Sequence, residues 1–325
     1  MNKKISLIIP SQASKFYLED YLLNILFWTY KPNEIIIVNT YKKIRISSEI
    51  KNKFKKKNID VRVLNKKNFY PGQARNIGIK ASKFEILCFL DMNTVIYNFR
   101  WLELNLKYMF KKKIDGLLGQ TKYLANNNKE KLIIASTYGF KLLKTLPGSI
   151  IKKEIFNKLG FFNNYTRAGE DTEWLLRIKK KKYKFLIALE PIFYKGLYNV
   201  SYVQIIKKWF RNYYSSAVYK HLFVQKIIYI SVFLLSLLTI FYEILLIFFK
   251  TNSSFDSFLI NFLIILSLSY IVFRGIFLPL KKNVKFYFLF PINFIKIIFF
   301  SFCLDMVKTL SFIMSLFKIN RYPEL

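Results

Sequence analysis

Four apolar runs of five or six residues, at 5–9, 34–38, 60–64 and 85–90, alternate with three longer stretches of helical periodicity, at 16–28, 47–57 and 72–81. Runs this short, bounded by polar and turn residues, read as strands. Strand and helix alternating in this way imply a largely parallel sheet with right-handed crossovers. Such a sheet also says where to look for a site, because ligands bind beyond the carboxyl ends of its strands. The residues standing there are Pro10 and Ser11 after the first strand, Asn39 after the second, and Asp91 with Asn93 after the fourth.

The C-terminal third is of another kind. Stretches 227–249 and 257–280 carry one ionisable residue each, Glu243 and Arg274, and both are long enough to cross a bilayer. The short link 250–256 makes them a hairpin, and Lys220, Lys226, Lys281, Lys282 and Lys285 place its open end in the cytoplasm. At 1.5 Å per residue, Glu243 lies ~9 Å and Arg274 ~25 Å from the outer end, so the two are expected to snorkel to separate surfaces. Residues 286–317 are apolar but interrupted by Pro291, Lys296, Asp305 and Lys308, and read as an interfacial or re-entrant segment, with a third span as the alternative.

Ahead of the hairpin, residues 202–219 form an amphipathic pattern. Tyr202, Ile206, Trp209, Tyr213 and Ala217 share one side, with Lys207, Lys208 and Arg211 mostly elsewhere. Such a helix suits a membrane interface, its basic residues meeting anionic lipid or a lipid-linked diphosphate; packing on the globular domain is the alternative. No apolar signal core follows Met1, so the N-terminal region is expected in the cytoplasm. The expected division is 1–200, 201–226 and 227–325.

The chain carries 53 Lys and Arg against 19 Asp and Glu, a formal charge of +34, which favours an anionic partner such as a lipid surface or a phosphorylated substrate. Part of that excess is compositional, since Asn, Ile, Phe and Tyr are abundant alongside Lys. No helix-turn-helix, zinc-finger or RNA-recognition pattern is present, so nucleic acid is not an expected partner. Two cysteines, Cys88 and Cys303, supply neither a disulfide framework nor a thiolate metal site. The sole histidine, His221, reads as interfacial.

Against this basic background Glu170, Asp171 and Glu173 cluster in Gly169-Glu170-Asp171-Thr172-Glu173-Trp174. Carboxylates aimed at one site can take a proton from a substrate hydroxyl. Acids in the first turn of a helix also offset the positive end of its dipole, and both readings stand at this point.

The run from Ile5 to Pro10, then Pro71-Gly72-Gln73-Ala74-Arg75-Asn76-Ile77-Gly78, Phe89-Leu90-Asp91-Met92-Asn93, and finally Gly148, Lys158 to Phe162 and Gly169 to Trp174 with Arg177 occur in order. Over about the first 200 residues the chain resembles the family 2 glycosyltransferases, with their A-R-N-x-G, D-x-D, G-G-F and E-D elements. The resemblance implies the GT-A fold, a Rossmann-like α/β domain with a mainly parallel sheet, here followed by the interfacial helix and the transmembrane hairpin. It implies that Pro10, Ser11 and Asn39 hold the base and ribose of a nucleotide-diphosphate sugar, that Arg75 approaches the nucleotide or its phosphates, and that Asp91 and Asn93 face the diphosphate and any metal. Asp171 would be the general base of an inverting reaction, positioned by Glu170, and Trp174 a core residue.

Four departures from the family pattern bear on chemistry. Asn39 stands where an Asp contacting uridine is usual, Asn93 replaces the second Asp of D-x-D, Asn163 replaces the Asp after G-F, and Lys195 stands roughly where many relatives have His. Asn is a poorer ligand for a hard cation than carboxylate, and an ammonium cannot coordinate one. The expectation is therefore a weakly bound Mg or Mn held mainly by Asp91, or none, with Lys195 supplying charge in its place. Lys207, Lys208 and Arg211 are expected at the phosphate of a lipid-linked or glycan acceptor, with the catalytic domain on the cytoplasmic side of the membrane. An inactive relative that binds glycan precursors is the alternative. A processive polysaccharide synthase is disfavoured, because a two-span hairpin leaves little material for a channel and Gln204 to Trp209 only loosely resembles Q-x-x-R-W.

Overall fold

A computed structural model describes residues 3–181, 183–217, 219 and 267–317, with scattered positions between 227 and 265. In chain order the first elements are β1 (Ile5–Ser11), α1 (Lys15–Ile25), β2 (Glu34–Asn39), α2 (Ser48–Lys55), β3 (Asp60–Asn65), α3 (Pro71–Ala81) and β4 (Ile86–Phe89). The strands lie in the order β3-β2-β1-β4, all parallel. The helices start where local chemistry allows. Ser14 and Ser47 cap α1 and α2 by accepting from the backbone N–H of Tyr17 and Ile50, and Pro71 sits at the start of α3, where its missing N–H is not needed.

After β4 come β5 (Thr94–Val95), α4 (Trp101–Lys111), β6 (Gly116–Tyr123), α5 (Asn128–Ser136), β7 (Leu143–Lys152), α6 (Lys153–Leu159), α7 (Glu170–Lys180), β8 (Phe185–Ile187), β9 (Ile192–Tyr194) and α8 (Tyr202–Ser216). Here the sheet becomes mixed. β7 runs antiparallel to β4 and β6, and β9 antiparallel to β5, while β8 and β9 are parallel to β6.

Strand periodicity divides the core. Ile5, Leu7 and Ile9 of β1 face a cluster with Leu18, Leu22, Trp28 and Trp101, while Ile8 faces Ile79, Phe89, Phe156 and Trp174 on the other side. Trp174 is a core residue, as expected: it is fully buried, stacked on Phe156 at 4.5 Å, with its indole N–H donating to the Gly160 carbonyl at 2.9 Å. Removing such a ring would cost about 3–5 kcal/mol. Helix α3 packs tightly on β1, because a Cβ at Gly78 would lie 2.4 Å from Ile8 Cγ2.

The chain divides into two compact units. The first holds Met1–Leu124 with Leu142–Leu197, the second Ala125–Lys141 with Tyr198–Leu325. This differs from the expected 1–200 boundary in one respect: the segment carrying α5 groups with the C-terminal helices. Within the second unit Glu130 of α5 is buried, accepting from the backbone N–H of Asn126 and of Asn199, and so ties the segment to the chain entering α8. Tyr138 meets Trp209 of α8 edge-on at 5.2 Å.

The expected hairpin falls largely outside the described residues, as do Glu243, Lys220, Lys226 and His221. Residues 286–317 are described, and of the four interruptions only Pro291 separates two helices, a short one at Phe286–Leu289 ending just before it. Helix α9 (Asn293–Leu316) runs unbroken through Lys296, Asp305 and Lys308, with Pro291 just before it, and is long and apolar enough to cross a membrane. The expected snorkelling of Arg274 is also corrected. Arg274 lies in a π-helical turn, Phe273–Phe277, and its guanidinium meets the buried Asp305 carboxylate at 2.7 Å. Asp305 also accepts from Lys308 Nζ at 2.9 Å and from Tyr270 Oη at 3.0 Å. A buried charge is retained where partners replace water, and α9 supplies them.

Candidate active site

The ends of β1 and β4 frame a cavity of about 270 Å³. Pro10 and Ser11 line it, and so do Asp91, Asn93 and Arg75. Ser11 also organises the rim: its carbonyl accepts from the Thr40 backbone N–H at 2.9 Å, while Gln12 Nε2 donates to Thr40 Oγ1 at 3.2 Å. Thr40 and Gln12 line the cavity; Asn39 does not. The Asn39 side chain is buried, donating from Nδ2 to the Lys42 carbonyl at 2.6 Å and to Asn65 Oδ1 at 2.8 Å. Thr40 rather than Asn39 therefore stands at the cavity wall, because β2 continues through Asn39 and successive strand residues face opposite ways.

Arg75 joins the motifs. Its buried guanidinium donates from Nη1 to Glu170 Oε1 at 2.7 Å and from Nη2 to Asp91 Oδ1 at 3.2 Å, with the Phe162 ring 5.9 Å away. Two features of α3 hold it there. Asn76 donates to the Phe162 carbonyl at 2.7 Å and to Asn164 Oδ1 at 2.8 Å, and accepts from the Phe162 N–H at 3.0 Å. Gly72 admits the same loop, since a Cβ there would lie 2.2 Å from the Asn163 carbonyl oxygen and 3.2 Å from Glu170 Cγ.

The acid cluster divides by role. Glu173 pairs with Arg177 at 2.8 Å, and Arg177 also donates to the Leu159 and Phe161 carbonyls, so both brace the start of α7. Glu170 is buried, and desolvation together with the neighbouring Asp171 pushes its carboxyl up to about 7 against the pull of Arg75. Arg75 is held in its charged form by Asp91, Glu170 and Asp171, which together outweigh its desolvation. Asp171 is half-buried and accepts from the Thr172 backbone N–H at 2.8 Å. It does not line the 270 Å³ cavity, but its charge acts on Arg75 and Glu170 beside it.

Lys195 is placed elsewhere. It lines a separate cavity of about 190 Å³ with Tyr17, Tyr21 and Thr94, while the basic side chains on the Asp91 cavity are Arg75 and Arg167. Sequence reasoning passed over Arg167 and Tyr194, although Arg167 stands three residues before the E-D element and Tyr194 immediately before Lys195. Among the described residues no group of three or more His, Cys, Asp or Glu side chains is arranged to hold a metal ion. Asp91 is the carboxylate on the cavity wall, a third exposed, and a single carboxylate completed by phosphates and water is a set that Mg accepts. Lys207 and Arg211 are exposed on α8 in the second unit, where Lys208 Nζ lies 5.7 Å from the Tyr138 ring.

Residues 6–168 match the family described as glycosyl transferase family 2. An uncharacterized glycosyltransferase of Rickettsia bellii is 28% identical over 180 residues, covering 52% of this chain and 25% of its own length. One of Rickettsia felis is 31% identical over 180 residues, covering 52% of this chain and 29% of its own. The matched region is thus little more than a quarter of these relatives. Among solved structures, Staphylococcus aureus TarS 1-349 in complex with UDP-GlcNAc gives a TM-score of 0.45 at 18% identity, over 64% of each chain. The mannosyltransferase PcManGT of Pyrobaculum calidifontis, in complex with GDP-Man and Mn2+, gives 0.45 at 12% identity, over 65% of this chain and 62% of that one.

Proposed function

The chain belongs to glycosyl transferase family 2, and from that premise we propose that it moves a sugar from a nucleotide-diphosphate donor to a hydroxyl of a lipid-linked or cell-envelope glycan acceptor, inverting the anomeric carbon. The observation that carries this reading is the Arg75 guanidinium bridging Asp91 and Glu170 beside the cavity at the strand ends. Pro10, Ser11 and Thr40 receive the nucleoside end of the donor, and Arg75 and Arg167 face its phosphates.

In the transfer, the acceptor oxygen forms a bond to the anomeric carbon as the bond from that carbon to the diphosphate breaks. The electron pair leaves on the diphosphate, and the acceptor proton passes to the Asp171 carboxylate. Arg75 offers fixed positive charge where the leaving group gains negative charge, in a site that needs no reorganisation to do so. Glu170 holds Arg75 in place and so positions the base at the next residue. Asp91 would hold a Mg or Mn, which when bound would add neutralising charge to the leaving group.

Helix α9, 24 residues and roughly 36 Å long, is matched to a bilayer core of about 30 Å and supports a membrane anchor. On this reading the catalytic unit faces the cytoplasm, and Lys207, Lys208 and Arg211 meet the acceptor's phosphate. The test is donor hydrolysis or transfer by purified protein and by Asp171→Asn, after UDP-, GDP-, dTDP- and CDP-sugars are screened for protection against thermal unfolding. The expected result is that one donor class protects both proteins while the variant turns over about a hundredfold to ten-thousandfold more slowly; equal rates would remove Asp171 as the base.

A further inference from the structure

Between residues 42 and 67 the chain carries eleven Lys and Arg against two acids, Glu49 and Asp60. That places +9 of the formal +34 in 26 of 325 residues, a density of basic side chains more than twice the chain's average, so composition alone does not account for it. The fold sets where these charges point. Ile50 and Phe54 turn from α2 into the core, which leaves Lys51, Lys53 and Lys55 exposed on its outer side.

Loops extend this surface beyond both ends of the helix. Before α2, Asn65 ties the loops after β2 and β3 together, accepting from the Ile44 backbone N–H at 2.9 Å and from Asn39 Nδ2 at 2.8 Å. The exposed Lys42, Lys43 and Arg45 are thereby held on a loop next to the one carrying Lys66 and Lys67. After α2, Asn58 takes a left-handed turn, φ 56°, with its N–H donating to the Lys55 carbonyl, and Lys55, Lys56 and Lys57 are left exposed before the chain enters β3.

Between α2 and the start of β3 lies a groove of about 490 Å³, lined by Lys51, Lys55, Asn58, Ile59, Asp60 and Val61. Its two lysines stand one helical turn apart, a like-charge pair that costs stability unless an anion sits near it. Glu49 pairs with Lys53 at 2.6 Å and Asp60 with Lys83 at 2.7 Å, and among the described residues no carboxylate lies within ion-pair distance of Lys51 or Lys55. Lysines also guard sheet edges against unwanted pairing, and β3 ends its sheet. That role calls for charge on the strand itself, whereas these lysines stand on α2 and the loops. No aromatic ring lines the groove, so it offers nucleobases no stacking platform.

We propose, on the reading that α9 anchors the chain in a bilayer, that this face of the first unit docks on anionic lipid headgroups, with Lys51 and Lys55 holding a headgroup phosphate in the groove. About four to eight basic residues suffice to hold a segment to an anionic surface, and flexible lysine stems let the ammonium groups follow it. Thr40 of the donor cavity begins the loop that carries Lys42, so docking brings that cavity to the surface where a lipid-linked acceptor lies.

The test is lysine acetylation of the full chain, read by mass spectrometry, after reconstitution into nanodiscs of phosphatidylcholine alone and of phosphatidylcholine mixed with phosphatidylglycerol. Lys51, Lys55, Lys56 and Lys57 are expected to react about fivefold more slowly on the anionic discs, a difference that high salt removes by screening. Lys158 and Lys179, on helices packed against the other face of the sheet, are expected to react equally on both. Lys51→Gln combined with Lys55→Gln, at exposed positions that leave the core intact, is expected to return Lys56 and Lys57 to their rate on the neutral discs; slow reaction persisting in this variant overturns the role of the groove. Equal wild-type rates on both discs, in a chain that carbonate does not extract, overturn the proposal and leave the anchor reading intact. Extraction by carbonate from both discs overturns both readings. Protection by added poly(U) and not by the anionic discs assigns the face to nucleic acid and overturns the proposal too.

Discussion

Arg75 and Arg274 are both buried arginines held by carboxylates, one in each unit, and their surroundings differ in kind. Arg75 is shared by two acids from distant parts of the chain, and one of them, Asp91, keeps 33% of its side chain exposed on a cavity. Arg274 meets Asp305, which is fully enclosed and also takes Lys308 and Tyr270. The first arrangement leaves a carboxylate edge and a guanidinium available to a ligand; the second closes every partner inward and joins the 273–277 turn to α9. A buried ion pair alone therefore does not mark a site. The opening of one partner onto a cavity does.

Breaking the first pair should give the largest effect. Arg75→Ala leaves Glu170 buried without its cation, so it is expected to lower stability by about 3–5 kcal/mol. Turnover should fall by about a hundredfold to a thousandfold as well, since a donor aimed at the developing charge is lost. Thermal unfolding and transfer rate check the two parts separately, and a stability loss with normal turnover would make Arg75 as structural as Arg274.

The second pair sharpens the contrast. Asp305→Asn leaves Arg274 and Lys308 without their carboxylate and is expected to lower stability by about 3–5 kcal/mol in detergent-purified protein. Affinity for the nucleoside diphosphate, measured by titration below the unfolding temperature, should stay unchanged. Loss of that affinity would show that the two regions are not independent.

The smallest effect concerns pH. The Glu170 carboxyl is raised from 4.5 to about 7 in the folded chain, so between those values the native state binds more protons than the unfolded state. Its contribution is fully present below pH 4.5 and is lost as pH rises through about 7, a change on the order of 3 kcal/mol. Melting temperature should therefore carry a falling component across that window, and Glu170→Gln should remove it. An unaltered slope in the variant would mean that Arg75 keeps Glu170 ionised throughout.

What the sequence disclosed follows the range of the forces involved. Local periodicity located β1 to β4 and α1 to α3, and the A-R-N-x-G element located Arg75, because strand alternation and a helix N-terminus are written within a few residues. Asn39 was misplaced by one position: a strand one residue longer puts its side chain into the loop at Lys42 and leaves Thr40 on the wall. Tyr194 and Arg167 were missed because their place depends on the pairing of β9 with β5 and on the loop before α7, contacts between segments far apart in the chain. Arg274 was read from its depth along one helix, and its partner lies 31 residues on in another.

The most direct test of the account is a structure of the chain with a bound nucleoside diphosphate. Its phosphates are predicted within hydrogen-bond reach of Arg75 or Arg167, in the cavity walled by Asp91. Phosphates in the neighbouring cavity beside Lys195, with Arg75 and Asp91 untouched, would contradict it.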